Sequence, residues 1–253
     1  MNTMTMIGKT CSVLRFTGIV VLGLGSFACS SPDSPSKDSF GYQYLPLRVG
    51  DFAEYDVQST RTLAGVPALL EFQLRTEVVD SFANAEGGYS FVMHRSTRNT
   101  EADPWVPLDS WTLRRNDRQA VITENSTPYL KLSFPVSESR KWNGNAFNSR
   151  EANEFCVEKD AFSCDMYEAT KVGKPFTASA SMNFETTVTV VENDNQDLIS
   201  FQDKRIAIYA KDVGLVYREI DSLQYCTQPA CLGKQEIERG HVYVQTIRAY
   251  GHH

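Results

Sequence analysis

Short runs in which apolar and polar residues alternate recur along most of the chain after residue 40. Many are rich in β-branched and aromatic residues and are separated by Gly, Pro, Asn and Asp, which is typical of antiparallel strands. The alternation is clearest in Phe72–Val79 and Tyr243–Tyr250. The pattern predicts strands at Asp51–Gln58, Leu69–Asp80, Tyr89–Thr97, Trp111–Asn116, Arg118–Glu124, Tyr129–Val136, Met182–Glu192, Leu215–Ile220 and Gly240–Tyr250.

Helical patterning is sparse, and the best candidate is Gln202–Lys211. Ile206, Tyr209 and Ala210 would share one helix face there, and Gly214 follows as a stop signal. The same segment would also serve as a strand. We therefore expect a mainly β protein: one large, curved antiparallel sheet, shaped as a half-barrel or a barrel-like sandwich, with one short helix.

The first 28 residues differ from the rest of the chain. They contain two basic residues, no acidic residue and a 13-residue apolar run from Phe16, which is typical of a secretory signal peptide. Cys29 follows directly, and residues 29–39 form a Ser/Pro/Asp-rich tether, so this region resembles a bacterial lipoprotein precursor lipidated at Cys29. Ser26 and Ala28 would also suit an ordinary signal peptidase at the same bond. The predicted organisation is a signal peptide (1–28), a tether (29–39) and a single β-rich domain (40–253).

The cysteines divide according to this cleavage. Cys11 leaves with the signal peptide, Cys29 is the predicted lipid attachment point, and four cysteines remain to pair in an oxidising compartment. Their short separations favour local disulfides, although four cysteines allow three connectivities and a tetrathiolate zinc site is the alternative. The predicted disulfide residues are Cys156, Cys164, Cys226 and Cys231.

The net charge argues against a nucleic-acid-binding protein. It is −6, and it becomes −8 once Lys9 and Arg15 leave with the signal peptide, so no basic surface for nucleic acid is indicated.

No catalytic motif is present, and His94 is expected to be a solvent-facing strand residue. Carboxylates such as Glu124 and Glu192 are numerous, and their alternating positions predict a solvated face. The acidic segment 192–197 is interpreted as a hairpin turn rather than a calcium loop.

One loop combines an aromatic ring with amide groups. Trp142 is followed by Asn143 and Asn145, with Gly144 between them. Loops often carry binding residues, and a tryptophan beside amides could stack on a sugar or line an apolar pocket. The alternative is structural, because Asn-Gly is also a common turn and a tryptophan can anchor one.

Three segments occur together in a recognisable order. They are Tyr44–Tyr55 (Y-x-P-L-x-x-G), Lys141–Asn148 (containing W-N-G-N) and Tyr209–Glu219 (Y-A-x-x-V-G-L-V). In these segments the chain resembles an uncharacterised family of small β-rich lipoproteins from Gram-negative bacteria. The resemblance implies a lipoprotein with a curved β-sheet and supplies no catalytic residues. A looser, fold-level likeness links such sheets to the half-barrels of the lipid-sheltering carriers LolA and LolB.

These observations favour a non-catalytic, lipid-anchored protein of the cell envelope, in the outer membrane of a Gram-negative bacterium. Its β-domain is expected to bind an apolar, glycan or protein ligand, without a cofactor, a metal or nucleic acid. Two alternatives stay open: a glycan hydrolase built from carboxylates, and a structural component of a surface complex. An apolar groove would indicate a binder, and a filled interior would indicate a scaffold.

Overall fold

A computed structural model describes residues 40–149, 165–196 and 198–253, in which a 3-10 turn at Tyr42–Tyr44 precedes twelve strands. The strands are β1 (Asp51–Leu63), β2 (Val66–Ala83), β3 (Tyr89–Arg98), β4 (Val106–Arg115), β5 (Gln119–Glu124), β6 (Thr127–Ser133), β7 (Lys141–Asn143), β8 (Met166–Ser179), β9 (Met182–Gln196), β10 (Phe201–Ala210), β11 (Gly214–Tyr225) and β12 (Ile237–His252). The predicted signal peptide, tether and Cys29 lie outside the described residues.

All twelve strands belong to one antiparallel sheet, in the order β6-β5-β4-β3-β2-β1-β12-β11-β10-β9-β8-β7. Two meanders, β1–β6 and β7–β12, meet where β1 pairs with β12, from Asp51 opposite His252 to Leu63 opposite Arg239. The predicted mainly β fold with a large, curved antiparallel sheet is confirmed. No helix in the described part of the chain is both long and apolar enough to cross a membrane.

The sheet curls into a nearly closed barrel shape with one seam, between β6 and β7. Among the described residues no strand ladder joins these two strands, but Leu130 N donates to Gly144 O (2.9 Å) and Trp142 Nε1 donates to Leu130 O (2.8 Å). Asn148 Nδ2 adds a bond to Pro128 O at 2.8 Å. The two edge strands therefore stay together through a few hydrogen bonds, and the sheet encloses its own core.

The interior face follows directly from strand register, because directly paired residues place their side chains on the same face. One row of paired residues crosses six strands and is mostly buried: Val57, Gln245, Arg218, Ala207, Val190 and Ala169. Apolar residues from the other strands, including Leu113, Ile122 and Leu132, fill the space opposite. The core is thus the inside of the curled sheet.

The predicted helix at Gln202–Lys211 is wrong, because this segment forms β10. Arg205, Ala207 and Tyr209 point to the interior, while Ile206 and Ile208 share the opposite face. Strand β10 pairs with β9 on one side and with β11 on the other, and these two backbone ladders outweigh a local helical preference. Within the described ranges no residue is in an α-helix.

The sequence pattern also missed β7 and β8. Strand β8 contains Gly173 with φ of 72° and then Pro175, and its register with β9 shifts repeatedly between Thr170 and Ser179. These irregularities break the alternation on which the strand prediction depended. Beyond the first shift, Phe176 contacts Tyr217 of β11 with ring centroids 5.6 Å apart.

Residues 40–48 close one end of the curled sheet, and we call them the N-terminal plug. Tyr44 and Leu45 are buried in the core, and Arg115 Nη1 donates to the carbonyls of Tyr42 (2.8 Å) and Leu45 (2.7 Å). Asp212 N donates to Gln43 O at 2.8 Å. The strand predicted from Asp51 begins at that residue as β1, and residues 40–48 before it form a cap.

Gly144 offers a test of the seam. A Cβ atom at this position would lie 2.3 Å from Cε1 of Tyr167, whose ring is fully buried. Gly144→Ala should therefore lower the free energy of unfolding by about 1–3 kcal/mol through overpacking. Urea denaturation measures the change. Gly88→Ala is the matched control, since the nearest atoms there belong to Asn84 at 3.8 Å; equal losses in both variants would contradict the close approach at the seam.

Candidate functional site

A cluster of charged side chains crosses the interior of the sheet. Lys131 Nζ lies 2.8 Å from Glu192 Oε1 and 3.1 Å from Glu124 Oε1, and Arg218 Nη2 lies 3.3 Å from Glu124 Oε2. Lys131 and Glu192 are almost completely buried. We call these four residues the ion cluster. It connects β5 and β6 on one side of the interior with β9 and β11 on the other.

Two register shifts explain why Lys131 and Glu192 point inward. Between β5 and β6 the pairing passes from Leu132 to Leu130, which leaves Lys131 as the extra residue. Between β9 and β10 it passes from Asn193 to Val191, which leaves Glu192 extra. A β-bulge re-aims the side chain of the extra residue. The solvated face predicted for the carboxylates is therefore wrong for Glu124 and Glu192.

The ion cluster keeps Glu124 and Arg218 charged. Burial alone would raise the pKa of Glu124, but Arg218 and Lys131 outweigh it and lower that pKa to about 2. Burial would lower the pKa of Arg218, but Glu124 and Glu192 raise it above its ordinary value. Both groups are therefore ionised at neutral pH, and each depends on the other for compensation of its lost hydration.

A second charged group lies on β3 and β4. Arg95 Nη1 donates to both carboxylate oxygens of Asp109, at 2.9 and 3.1 Å, and the guanidinium stacks over the Trp111 ring at 3.9 Å from its centroid. Burial lowers the pKa of Arg95, and Arg218 contributes in the same direction. The interior therefore brings two guanidinium groups near each other, although each has a carboxylate partner.

Between the N-terminal plug and the ion cluster is a cavity of about 100 Å³. Its wall is mostly apolar and includes Leu45, Leu47, Tyr55, Leu74, Met93, Leu113, Ile122 and Tyr209. Three buried donors on cavity-lining side chains have no hydrogen-bond partner in the described part of the chain: Arg95 Nε, Trp111 Nε1 and Arg218 Nε. Buried donors are usually paired, so this cavity is short of hydrogen-bond acceptors.

These groups are suited to binding rather than to acid–base catalysis. Glycoside hydrolysis needs one carboxylic acid that holds a proton near neutral pH. Glu124 is unprotonated there, and the Lys131 ammonium lies within 3.1 Å of both Glu124 and Glu192. The ammonium thus occupies the place between the two carboxylates where a substrate or water would react. The cavity can instead hold a ligand oxygen, which would accept hydrogen bonds from the unpaired donors.

Comparisons with known proteins do not place the chain in a family. No family model matches the chain, and no curated protein matches it. Among solved structures, a presumed exported protein with a YmcC-like fold from Bacteroides fragilis NCTC 9343 is similar at 11% identity and a TM-score of 0.34; the match covers 82% of this chain and 98% of that chain. A likeness at this level carries no argument about function.

The residues predicted to bind on the Trp142 loop lie at the seam instead of in the cavity. Trp142 is buried and packs edge-on against Tyr167, with centroids 6.1 Å apart. Asn143 Oδ1 accepts from Asn145 N (2.8 Å), and Asn145 Nδ2 donates to Asp165 Oδ2 (2.8 Å). These contacts tie the loop to the barrel-shaped sheet, and a binding role for Trp142, Asn143 and Asn145 stays a prediction.

The structure describes one of the two predicted cysteine pairs and the predicted strand residue His94. Cys226 and Cys231 form a disulfide with Cα atoms 5.8 Å apart, in agreement with the local pairing, whereas Cys156 and Cys164 lie outside the described residues. His94 is exposed on β3, as expected. Across the described ranges, no three His, Cys, Asp or Glu residues are grouped to hold a metal ion.

Sequence reasoning missed Arg95, Lys131, Arg218 and Trp111 as site residues. A signal for two of them was available, because Arg95 follows Met93 and Arg218 follows Val216 at the spacing of two that keeps a side chain on the apolar face. For Lys131 and Glu192 no such signal exists, since the bulges that turn them inward depend on the partner strands.

The low pKa of Glu124 predicts that the free energy of unfolding decreases in acid. Its folded pKa of about 2 lies below the unfolded value near 4.3, so the ionised group stabilises the fold above the unfolded pKa, on the order of 3 kcal/mol, and that contribution is lost as the pH falls toward 2. The free energy of unfolding in urea, measured between pH 7 and 2, should therefore fall more steeply for the native chain than for Glu124→Gln. The exposed variant Glu71→Gln is the control and should follow the native curve. Parallel curves for the native chain and Glu124→Gln would contradict the ion cluster.

Proposed function

We propose that this protein is an exported, lipid-anchored envelope protein whose β-domain binds a ligand inside the curled sheet without catalysing a reaction. The support for the anchor is the signal-peptide pattern followed by Cys29 and ten further tether residues rich in Ser, Pro and Asp. The support for binding is the interior cavity with three unpaired buried donors among the described residues. The last observation carries the proposal, since a filled scaffold has no need of unpaired donors in its core.

The size of the cavity limits the ligand. A dry apolar cavity of about 150 Å³ accepts benzene, and this cavity is about 100 Å³. It therefore admits a group of a few heavy atoms, such as the terminal group of a larger molecule, rather than a whole acyl chain. In this respect the interior differs from a lipid-sheltering half-barrel.

The charges around the cavity indicate a neutral ligand group. Glu124, Glu192 and Asp109 already balance Lys131, Arg218 and Arg95 in pairs. An additional anion would lie near Glu124 and Glu192 and would be repelled. A carbonyl or hydroxyl oxygen satisfies the free N–H groups without adding charge, and the apolar wall covers the carbon atoms attached to it. The proposed ligand class is thus a small, partly apolar group with a neutral oxygen acceptor.

Trp111 and Trp105 provide a matched pair for testing the cavity. Trp111→Phe removes the Nε1 donor and keeps an aromatic ring in the wall, whereas Trp105 stacks on Arg98 and does not line the cavity. With acetamide, ethyl acetate and N-acetylglucosamine as probes, ligand-observed NMR should detect binding of at least one. Trp111→Phe should weaken that binding about fivefold by loss of one hydrogen bond, and Trp105→Phe should not change it.

Two results would contradict this ligand site. One is an unchanged affinity in Trp111→Phe, which would place the probe elsewhere. The other is a crystal structure from probe-soaked crystals in which ordered water alone occupies the cavity and bonds Arg95 Nε and Trp111 Nε1.

The anchor has its own test. In cells labelled with a radioactive fatty acid, the full-length chain should carry the label and partition into the membrane fraction, and Cys29→Ser should lose both properties. Cys11→Ser is the matched control, because this residue lies within the predicted signal peptide and should leave the label unchanged. A native chain that is unlabelled and fully soluble would contradict the anchor while leaving the ligand site intact.

A further inference from the structure

The tip of the β1–β2 hairpin is an exposed apolar surface distinct from the cavity. The eight residues 63–70 read Leu-Ala-Gly-Val-Pro-Ala-Leu-Leu and contain no charged or hydrogen-bonding side chain. Their large members are highly exposed: Leu63 (73%), Val66 (70%), Leu69 (63%) and Leu70 (58%). Register places Leu63, Val66 and Leu70 on one face of the hairpin and Leu69 on the other, so both faces are apolar.

The backbone of this segment is free on one side. Strand β2 pairs with β1 along its whole length up to Val66, but its pairing with β3 begins only at Gln73. In the described part of the chain, no other backbone hydrogen bond reaches residues 66–72. Val66–Phe72 is therefore an exposed strand edge with outward N–H and C=O groups, which is a ready template for another strand.

The free edge decides what kind of surface can cover the hairpin. A lipid bilayer would cover both apolar faces but would leave the outward backbone groups without partners, which hydrocarbon strongly disfavours. An added strand satisfies those groups and covers the side chains on both faces at once. The occupant is therefore an extended segment of protein.

The segment is complementary to itself. In an antiparallel pair centred on Leu69, Leu69 lies opposite its own copy, Ala68 opposite Leu70, and Val66 opposite Phe72. The single charged residue, Glu71, then lies opposite Pro67, so the two carboxylates do not face each other. Such a pair obeys a two-fold axis, the commonest symmetry of protein dimers.

We propose that the edge of β2 at Val66–Phe72 pairs antiparallel with the same edge of a second copy of this chain, which joins two sheets into one. Pro67 cannot donate to the new ladder, and its place opposite Glu71 near one end of the segment limits the loss to one hydrogen bond at each end. The dimer depends on neither the cavity nor the anchor.

Site-specific cross-linking tests both the contact and its register. The full-length chain carrying Leu69→Cys is treated in membranes with a short bis-maleimide, and dimers are measured on a reducing gel against the parent chain. Leu63→Cys is the matched control, because it is similarly exposed but lies about 25 Å from its own copy in the proposed register, beyond the reach of the reagent. Leu69→Cys should give at least tenfold more dimer than Leu63→Cys.

Three outcomes would overturn the proposal. Equal yields from Leu69→Cys and Leu63→Cys would indicate collision rather than pairing. A Leu69→Cys variant that reacts with a monofunctional maleimide but gives no dimer would show that the edge is unoccupied by a copy. A cross-link from position 69 to a different protein would assign the edge to another partner. Circular dichroism of both variants should match the parent chain, since both positions are exposed.

Discussion

Lys131 links the two meanders of the sheet across its interior, in addition to the β1–β12 ladder that joins them directly. Its ammonium lies between Glu124 on β5 and Glu192 on β9, which belong to the two different meanders of the sheet. The strands that carry these groups approach the seam from opposite sides, and no strand ladder in the described ranges joins them there. Charge pairing across the interior therefore adds a second connection between the two meanders, beside the hydrogen bonds that Leu130 makes at the seam. The side chains of the cluster also line the cavity.

Such a cluster carries a large desolvation cost, and hydrophobic residues of similar volume are often equally stable. Its value here is geometric. An apolar interior could adjust its packing and collapse, whereas Arg218, Glu124 and Lys131 require fixed mutual positions to compensate one another. That fixed arrangement leaves Arg218 Nε without a partner among the described residues at the wall of the cavity. The ion cluster thus contains both the paired charges and an unsatisfied donor, so one group of side chains contributes to stability and to the proposed binding.

Alternation along the chain was sufficient to predict most strands and the overall fold class, because strands such as β1 alternate over several residues between buried and more exposed positions. It failed where local pattern and tertiary pairing disagree. Segment 201–210 has an apolar spacing compatible with a helix, and only its position between β9 and β11 makes it a strand. Lys131 and Glu192 could not be assigned to the interior, since a bulge moves each of them to the other face. The Trp142 loop was recognised as unusual, and the structure places it at the seam.

The pairing of β1 with β12 brings together residues about 200 positions apart, such as Asp51 and His252. Loop closure on this scale is slow, because its entropy is lost before the contacts form. Until Ile237–His252 is available, the first meander ends in the open edge of β1 and the second in the open edge of β11. A chain delivered through a membrane from its N-terminus would present the β1 edge throughout that interval. Until the last strand is available, the edge of β1 can therefore pair with strands of other chains.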